Sequence, residues 1–227
     1  MLMKQGILAV TCVFALGATF AAPERARVFA PGAVPLAHQA VMGVPYLLFC
    51  MFNRVLPPYL SRKGIHMGIG ALLLFSDMED WRVHALVHAM AGTFVALTLA
   101  AALARASLAQ RLPFMHDRTV DPGVLCYLLC VSACAALRVP YCDMAVLFFA
   151  DPMGALVGRN VHTPKLYGSK SVGGTLAVWA TAVAAWNDAH LGRCVAGATL
   201  TAAIELVGGD YDNVLIAALL LGRALAA

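Results

Sequence analysis

Apolar residues occur along this chain in long runs, and short polar segments separate the runs. A helix needs about 20 predominantly apolar residues to cross the hydrocarbon core of a bilayer. The length of the runs therefore predicts membrane-spanning helices rather than half-buried strands, which would alternate apolar and polar positions. We place the spans at 34–54, 62–77, 83–104, 122–138, 141–158, 171–187, 193–208 and 212–227.

Residues 1–22 form one more apolar segment. Lys4 precedes a run from Ile7 to Phe20, and small residues follow it. This is the form of a signal peptide, and it equally fits a first membrane anchor. With the other runs it predicts an all-α fold, a polytopic transmembrane helix bundle of about seven to nine spans. We expect a single integral membrane domain over residues 1–227, with no separate soluble catalytic domain.

Composition supports a membrane protein. The chain is 61% hydrophobic and 12% charged, with a mean hydropathy of +0.79, whereas soluble domains carry about 25% charged residues. An ordinary soluble fold and a disordered chain are both excluded. The net charge of +4 includes no long basic tract, so we expect no nucleic-acid partner. We expect a multi-pass protein of the endoplasmic reticulum or plastid in a eukaryote, or of the inner membrane in a bacterium.

Three polar segments are not explained by a spanning role alone. In the first, Arg62, Lys63 and His66 open a predicted span. Cations at a helix end are often interfacial anchors, which is the simpler interpretation of this segment.

The second segment begins inside a span. Asp151 directly follows the apolar run 146–150, at a depth where a carboxylate is costly and usually functional. Gly154 and Gly158 favour a close approach, either of a ligand or of another helix. Further on, Lys170 and Ser171 precede a glycine pair and an apolar helix. Free N–H groups at a helix N-terminus and a lysine favour phosphate, although the spacing is not that of a Walker A loop.

The third segment contributes more carboxylates. Glu205 lies within the apolar run 196–207, and Asp212 and Asn213 open the last span. Their oxygens suit Mg²⁺, while helix capping is the alternative role for the Asp-Asn pair. If every span crosses once, the polar segments near Arg62, at 159–170 and at 210–213 lie on one membrane face, where they can converge. Together they supply the cations and metal ligands that phosphoryl transfer requires.

At these residues the chain resembles the CTP-dependent lipid kinases, the group of dolichol kinase, phytol kinase and the CTP-dependent diacylglycerol kinase. These are homologous to the phosphatidate cytidylyltransferases. The matching elements are Ala-Asp-Pro-x-x-Ala-x-x-Gly-Arg at 150–159, Lys-Ser-x-x-Gly-Thr at 170–175, Glu205, Asp212-Asn213 and, upstream, Arg62-Lys63-x-x-His66. The resemblance covers roughly 62–220 and implies transfer of the γ-phosphate of CTP to a lipid alcohol such as a polyprenol, phytol or diacylglycerol.

Residue chemistry and the resemblance together predict the site, with residues 141–227 as the catalytic core. We expect Asp151, Asp212 and Asn213 to bind Mg²⁺, and Glu205 to bind the metal or accept the hydroxyl proton. Lys170 belongs to the catalytic set as well. The predicted phosphate-binding residues are small or cationic: Arg62, Lys63, His66, Gly158, Arg159, Lys165, Lys170, Ser171, Gly173 and Gly174.

Two other functions remain open at this point. Cytidylyl transfer to phosphatidate is disfavoured because the His-Gly-Gly run of those enzymes is missing from the sequence. A small ion-coupled transporter would use Asp151 and Glu205 as intramembrane coupling groups. Inverted repeats, which transporters often contain, are not evident in the hydropathy pattern.

Overall fold

A computed structural model describes residues 36–52, 55–77, 79–103, 122–186 and 188–226 of the chain. In these ranges the fold is predominantly helical, as the apolar runs predict. The predicted anchor or signal at residues 1–22 lies outside the described residues. The eight helices of the described ranges are α1 (Leu36–Phe52), α2 (Pro58–Leu74), α3 (Trp81–Leu103), α4 (Pro122–Ala136), α5 (Ala145–Asn160), α6 (Val172–Ala185), α7 (Leu191–Gly208) and α8 (Asp212–Ala226).

A small β-hairpin interrupts the helices, and the hydropathy pattern did not predict it. Its strands are β1 (Lys165–Tyr167) and β2 (Lys170–Ser171), which pair antiparallel between α5 and α6. Gly168 adopts φ +52° in the turn, a conformation that glycine reaches without steric cost. The hairpin matters for the site because it presents Lys170 immediately before α6.

Helix α5 is the central element of the fold. It packs against α6 most extensively, and also against α2 and α8. Its residues Val146, Leu147, Phe148, Phe149 and Ala150 are each at most 1% exposed. Because both faces of this apolar run are covered by other helices, the carboxylate that follows it at position 151 is held in the interior of the protein.

Glycines permit the close crossing of α5 and α6. A Cβ added at Gly174 would lie 3.0 Å from the carbonyl oxygen of Gly154 and 3.2 Å from the Cα of Gly158. These distances leave no room for a side chain, so the two backbones meet directly. The four-residue spacing of Gly154 and Gly158 therefore serves helix packing, which was the alternative to ligand approach.

Two of the described helices are long and apolar enough to cross a membrane, namely Trp81–Ala100 and Leu191–Gly208. The criterion uses only length and composition, so two such helices give weak support for membrane association. Three shorter apolar helical stretches, Gly43–Phe52, Gly123–Ala136 and Val172–Ala185, fall below that length. The helices coincide closely with the predicted spans, but a bundle of seven to nine spans is not confirmed.

Candidate active site

Three carboxylates from three helices meet in the interior. Asp151 comes from α5, Glu205 from α7 and Asp212 from the first turn of α8. One oxygen of each lies within 4.8 Å of the other two, and the residues are 5%, 4% and 7% exposed. We call these three residues the carboxylate cluster. Asp151 and Glu205 were predicted from their apolar context and Asp212 from its place beside Asn213 at the start of the last span, and the structure brings the three together.

The connection from α7 to α8 explains how two of these carboxylates become neighbours. Helix α7 ends at Gly208, the next residue, Gly209, has φ +59°, and a single 3₁₀ turn, Gly209–Tyr211, leads into α8. Glycine reaches a positive φ without the steric cost that a side chain would impose. The tight reversal places Asp212 at the start of α8 beside Glu205 near the end of α7.

Two lysines neutralise part of the cluster. Lys63 of α2 donates a hydrogen bond to Asp151, and Lys170 of β2 donates one to Glu205. The Lys170 ammonium also lies 3.9 Å from an Asp212 oxygen. Burial disfavours the charged form of Lys170, but the bond to Glu205 and the other cluster carboxylates outweigh burial and raise its pKa above the ordinary value. Lys170 is therefore a cation at neutral pH.

The cluster fits a divalent cation. Three carboxylates against two ammonium groups leave a formal charge of −1. Oxygen ligands on opposite sides of Mg²⁺ are about 4.2 Å apart, twice the bond length of ~2.1 Å. The cluster oxygens, within 4.8 Å of one another, need only a small movement to reach one ion. The residues present thus match the chemistry of a Mg²⁺ site.

His66 lies beside the cluster and has a defined orientation. Its Nε2 is 3.0 Å from the carbonyl oxygen of Leu147, and a carbonyl only accepts, so Nε2 carries the hydrogen. Its Nδ1 is 3.8 Å from Asp151 Oδ2. The hydroxyl of Tyr127 on α4 donates to the backbone oxygen of His66 at 3.1 Å, and the two rings lie 3.6 Å apart. Tyr127 was missed in the sequence because it has no polar neighbours to distinguish it from a core tyrosine.

Asn213 follows Asp212 and is 3% exposed. Its backbone N–H donates to Asp212 Oδ1 at 2.7 Å. Its own side-chain oxygen is buried and has no hydrogen-bond partner among the described residues. An unpaired buried oxygen is costly, and an amide oxygen beside these carboxylates has the chemistry of a Mg²⁺ ligand.

The predicted phosphate cradle at the start of α6 needs correction. The N–H of Val172 donates to Pro164 O at 2.9 Å, that of Gly173 to Thr163 Oγ1 at 2.8 Å, and that of Gly174 to Ser171 Oγ at 3.3 Å. Ser171 is therefore a helix cap, as serine commonly is. The first three N–H groups of α6 already have acceptors, so they do not offer a free anion site.

Other predicted phosphate-binding residues make their contacts away from the cluster. Gly158 packs against α6, where an added Cβ would lie 3.2 Å from Ser171 Oγ. The guanidinium of Arg159 stands 4.2 Å from the centre of the Tyr59 ring. Lys165 donates to Ser169 O at 2.9 Å within the exposed hairpin. The structure thus groups Lys63, Lys170 and His66 with the carboxylates and leaves these three residues outside that group.

An apolar pocket of about 440 Å³ adjoins the site, with walls from α1, α2, α3 and α4 and one residue of α8. Arg62, His66, Tyr127 and Asn213 contribute to its lining, and nearly all of the other lining residues are apolar. His66 and Asn213 are therefore shared between the pocket and the surroundings of the carboxylate cluster. The sequence alone could not reveal this pocket, because it depends on how four helices pack.

Comparison of the chain with protein-family models, with curated proteins and with solved structures gave no match.

Proposed function

We propose that this protein is a Mg²⁺-dependent lipid kinase, which transfers the γ-phosphate of CTP to the hydroxyl group of a lipid alcohol. The observation that carries the proposal is the carboxylate cluster, with Lys63 and Lys170 hydrogen-bonded to it. Phosphoryl transfer depends on positioning and on neutralising phosphate oxygens rather than on covalent chemistry by the protein. Carboxylates for a cation and lysines for the phosphates are the groups this chemistry uses.

The reaction balances as follows. The acceptor oxygen forms a bond to the γ-phosphorus, and the bond from that phosphorus to the β,γ-bridging oxygen breaks. CDP leaves with the electron pair, and the hydroxyl proton passes to a carboxylate of the cluster. Bound Mg²⁺ would supply positive charge against the phosphate oxygens. Asp151, Glu205 and Asp212 would hold the metal, while Lys63 and Lys170 would orient the phosphates.

The choice of CTP as donor and of a lipid as acceptor has separate support. CTP follows from the resemblance of the elements at 62–66, 150–159, 170–175 and 205–213 to the CTP-dependent lipid kinases. The lipid acceptor is supported by the pocket beside the cluster and by large apolar side chains on the surface. Leu103, Trp81, Val41 and Leu191 are each more than 70% exposed, as expected where helices face lipid. We therefore propose a multi-pass membrane protein.

Purified protein in lipid nanodiscs tests the proposal. With γ-labelled CTP, Mg²⁺ and a lipid alcohol, we expect labelled lipid, and no product when EDTA removes the metal. Glu205→Gln should abolish transfer because it removes a cluster charge. Glu79→Gln is the matched control, since the Glu79 side chain is 80% exposed and pairs with Arg138 at 3.7 Å, away from the cluster. Equal loss in both variants, or transfer in EDTA, would contradict the proposed role of the cluster.

A further inference from the structure

Each carboxylate of the cluster lies close to a lysine ammonium group. Lys63 donates a hydrogen bond to Asp151, and Lys170 donates one to Glu205. The Lys170 ammonium also lies 3.9 Å from Asp212 Oδ2. The three carboxylate side chains are only 8%, 5% and 11% exposed, in that order, so water balances little of their charge. Because like charges buried together repel one another, the two lysines are the counter-ions, among the described residues, that permit this arrangement.

The same two lysines oppose a metal ion. A hydrogen bond and a metal bond to a carboxylate compete for the same oxygen lone pairs, and the bonded atoms are Asp151 Oδ2 and Glu205 Oε1. The cluster and its two lysines carry a formal charge of −1, so a divalent cation would make this buried group positive. The ammonium groups then repel the ion at close range. We therefore expect a metal ion alone to bind weakly.

A phosphate group offers the lysines another partner. A lysine ammonium is a compact charge on a flexible stem, and its three hydrogens can turn toward a new acceptor. The side chains of Lys63 and Lys170 are 13% and 29% exposed, so both are in part open to solvent, from which a phosphate would approach. When a phosphate accepts these ammonium groups, the carboxylates can bind a cation without competition from the lysines.

We propose that Lys63 and Lys170 are exchangeable counter-ions of the carboxylate cluster, which oppose a divalent cation until nucleotide phosphates accept their ammonium groups. Cation and nucleotide then bind cooperatively, and each raises the affinity of the other by the same factor. The inference rests on the proposed function for the nucleotide, whereas the competition between the lysines and the cation does not require it. It gives the two lysines a second role, control of when the metal binds.

Binding of Mn²⁺ tests the competition without relying on activity. Mn²⁺ prefers the same oxygen ligands as Mg²⁺, and electron paramagnetic resonance measures the free ion beside the full chain in phosphatidylcholine nanodiscs. Lys170→Met keeps the length of the side chain but removes its charge, so we expect the affinity for Mn²⁺ to rise about 10-fold or more. Lys63→Met should act in the same direction. Lys165→Met, which removes a lysine bonded to Ser169 O in the same hairpin, should leave the affinity unchanged.

The sign of the change decides the outcome. A lysine that only supports the structure of the site would, when replaced, leave the Mn²⁺ affinity unchanged or lower it, and either result in Lys170→Met would overturn the inference. Asp151→Asn locates the measured ion, because it removes a charge from the cluster and should abolish Mn²⁺ binding. Retained binding in Asp151→Asn would place the ion elsewhere and would also overturn the inference.

Measurement on the unmodified protein covers the case in which a lysine variant does not fold. The probe is CMP, whose single phosphate group binds Mn²⁺ in solution much more weakly than a triphosphate does. Saturating CMP should raise the affinity of the unmodified protein for Mn²⁺ about 5- to 150-fold, the usual range of coupling between two sites. An affinity that CMP does not change would overturn the proposed exchange.

These measurements separate failure of this inference from failure of the proposed function. Tighter Mn²⁺ binding in Lys170→Met, without phosphate transfer to any alcohol by the unmodified protein, would support the competition and overturn the kinase proposal. Phosphate transfer by the unmodified protein, with the same Mn²⁺ affinity in all lysine variants, would overturn this inference while the kinase proposal stands.

Discussion

The region around the carboxylate cluster is packed differently from the region around the apolar pocket. Helices α5 and α6 are locked together through Gly154, Gly158 and Gly174, so that no side chain separates their backbones. The pocket lies instead between long flexible side chains such as Met51, Met90 and Leu97. Chemistry on a phosphate requires charges held in a fixed geometry, whereas an apolar chain requires only space and tolerates movement. If the protein is the proposed kinase, the two regions meet these two requirements within one chain.

The largest expected effect is that of Asp151→Asn, which separates the carboxylate cluster from the apolar pocket most clearly. Asp151→Asn removes a charge from the cluster while preserving its shape, so we expect phosphotransfer to fall more than 100-fold, beyond the 10–100-fold typical of residues that only support a metal ligand. Binding of the long-chain alcohol should persist, because Asp151 does not line the pocket. The phosphotransfer rate and the binding of a photo-crosslinkable long-chain alcohol are measured on the same preparation. Loss of both would mean that the regions are not independent.

Lys170→Ala should produce the next largest effect, and only on the donor side. A charge-assisted contact is worth about 1.5–3 kcal/mol, or roughly 10- to 150-fold in kcat/KM for CTP. Lys170→Arg should recover only part of this, since a planar guanidinium does not replace a compact ammonium.

Lys165→Ala, in the same hairpin, should cost less than Lys170→Ala, because Lys165 is bound to Ser169 O and not to the cluster. The measurement is kcat/KM for CTP at saturating alcohol, beside the alcohol KM at saturating CTP. A change in the alcohol KM alone would place the phosphates elsewhere, with Arg62 and Lys63 the next residues to test.

Gly154→Ala tests how tightly α5 packs against α6, with the melting temperature Tm as the readout. The added Cβ would lie 2.4 Å from Val178 Cγ2, and overpacking of this kind costs about 1–3 kcal/mol. We expect Tm to fall by several degrees, with partial recovery when Val178→Ala is added. Gly92→Ala is the control in α3, where nothing lies within 4 Å of the new Cβ, and it should be neutral or slightly stabilising. Equal changes in Tm would show that α5 and α6 are not tightly packed.

The smallest expected effect concerns Tyr127, which connects the pocket wall to His66. Tyr127→Phe removes the hydrogen bond to His66 O and should cost about 0.5–1.5 kcal/mol of stability. Tyr141→Phe removes a buried hydroxyl that has no partner among the described residues, so we expect it to be neutral or stabilising. Thermal unfolding of both variants in detergent gives the comparison. A larger loss in Tyr141→Phe would contradict the proposed role of the Tyr127 hydroxyl.

Hydropathy predicted the helices well, because each apolar run must be covered by protein or lipid. It placed a span at 193–208, for example, and the helix is Leu191–Gly208. It missed the hairpin Lys165–Ser171, because the two strands are too short to show the alternation of apolar and polar residues that predicts a strand. Asp151 and Glu205 were predicted because a carboxylate within an apolar run is energetically costly and is usually functional.

Prediction failed where the outcome depended on contacts between distant residues. The free N–H groups expected at Gly173 and Gly174 are occupied by Thr163 and Ser171. The Thr163 hydroxyl reaches Gly173 only because the hairpin folds back on the start of α6, and sequence spacing does not show that. The pocket was likewise not predicted, because its walls come from helices that are distant from one another in the sequence.

Transfer of two differently labelled phosphates tests the central claim most directly. The protein is given Mg²⁺ and a long-chain alcohol, or phosphatidate, with CTP labelled either at the γ- or at the α-phosphate, and the lipid products are separated. We predict that the γ-label enters the alcohol and that the α-label remains in CDP. Appearance of the α-label in a lipid formed from phosphatidate would show cytidylyl transfer. Intact CTP and unlabelled lipid would contradict the account and would make the ion-coupled transporter the next function to test.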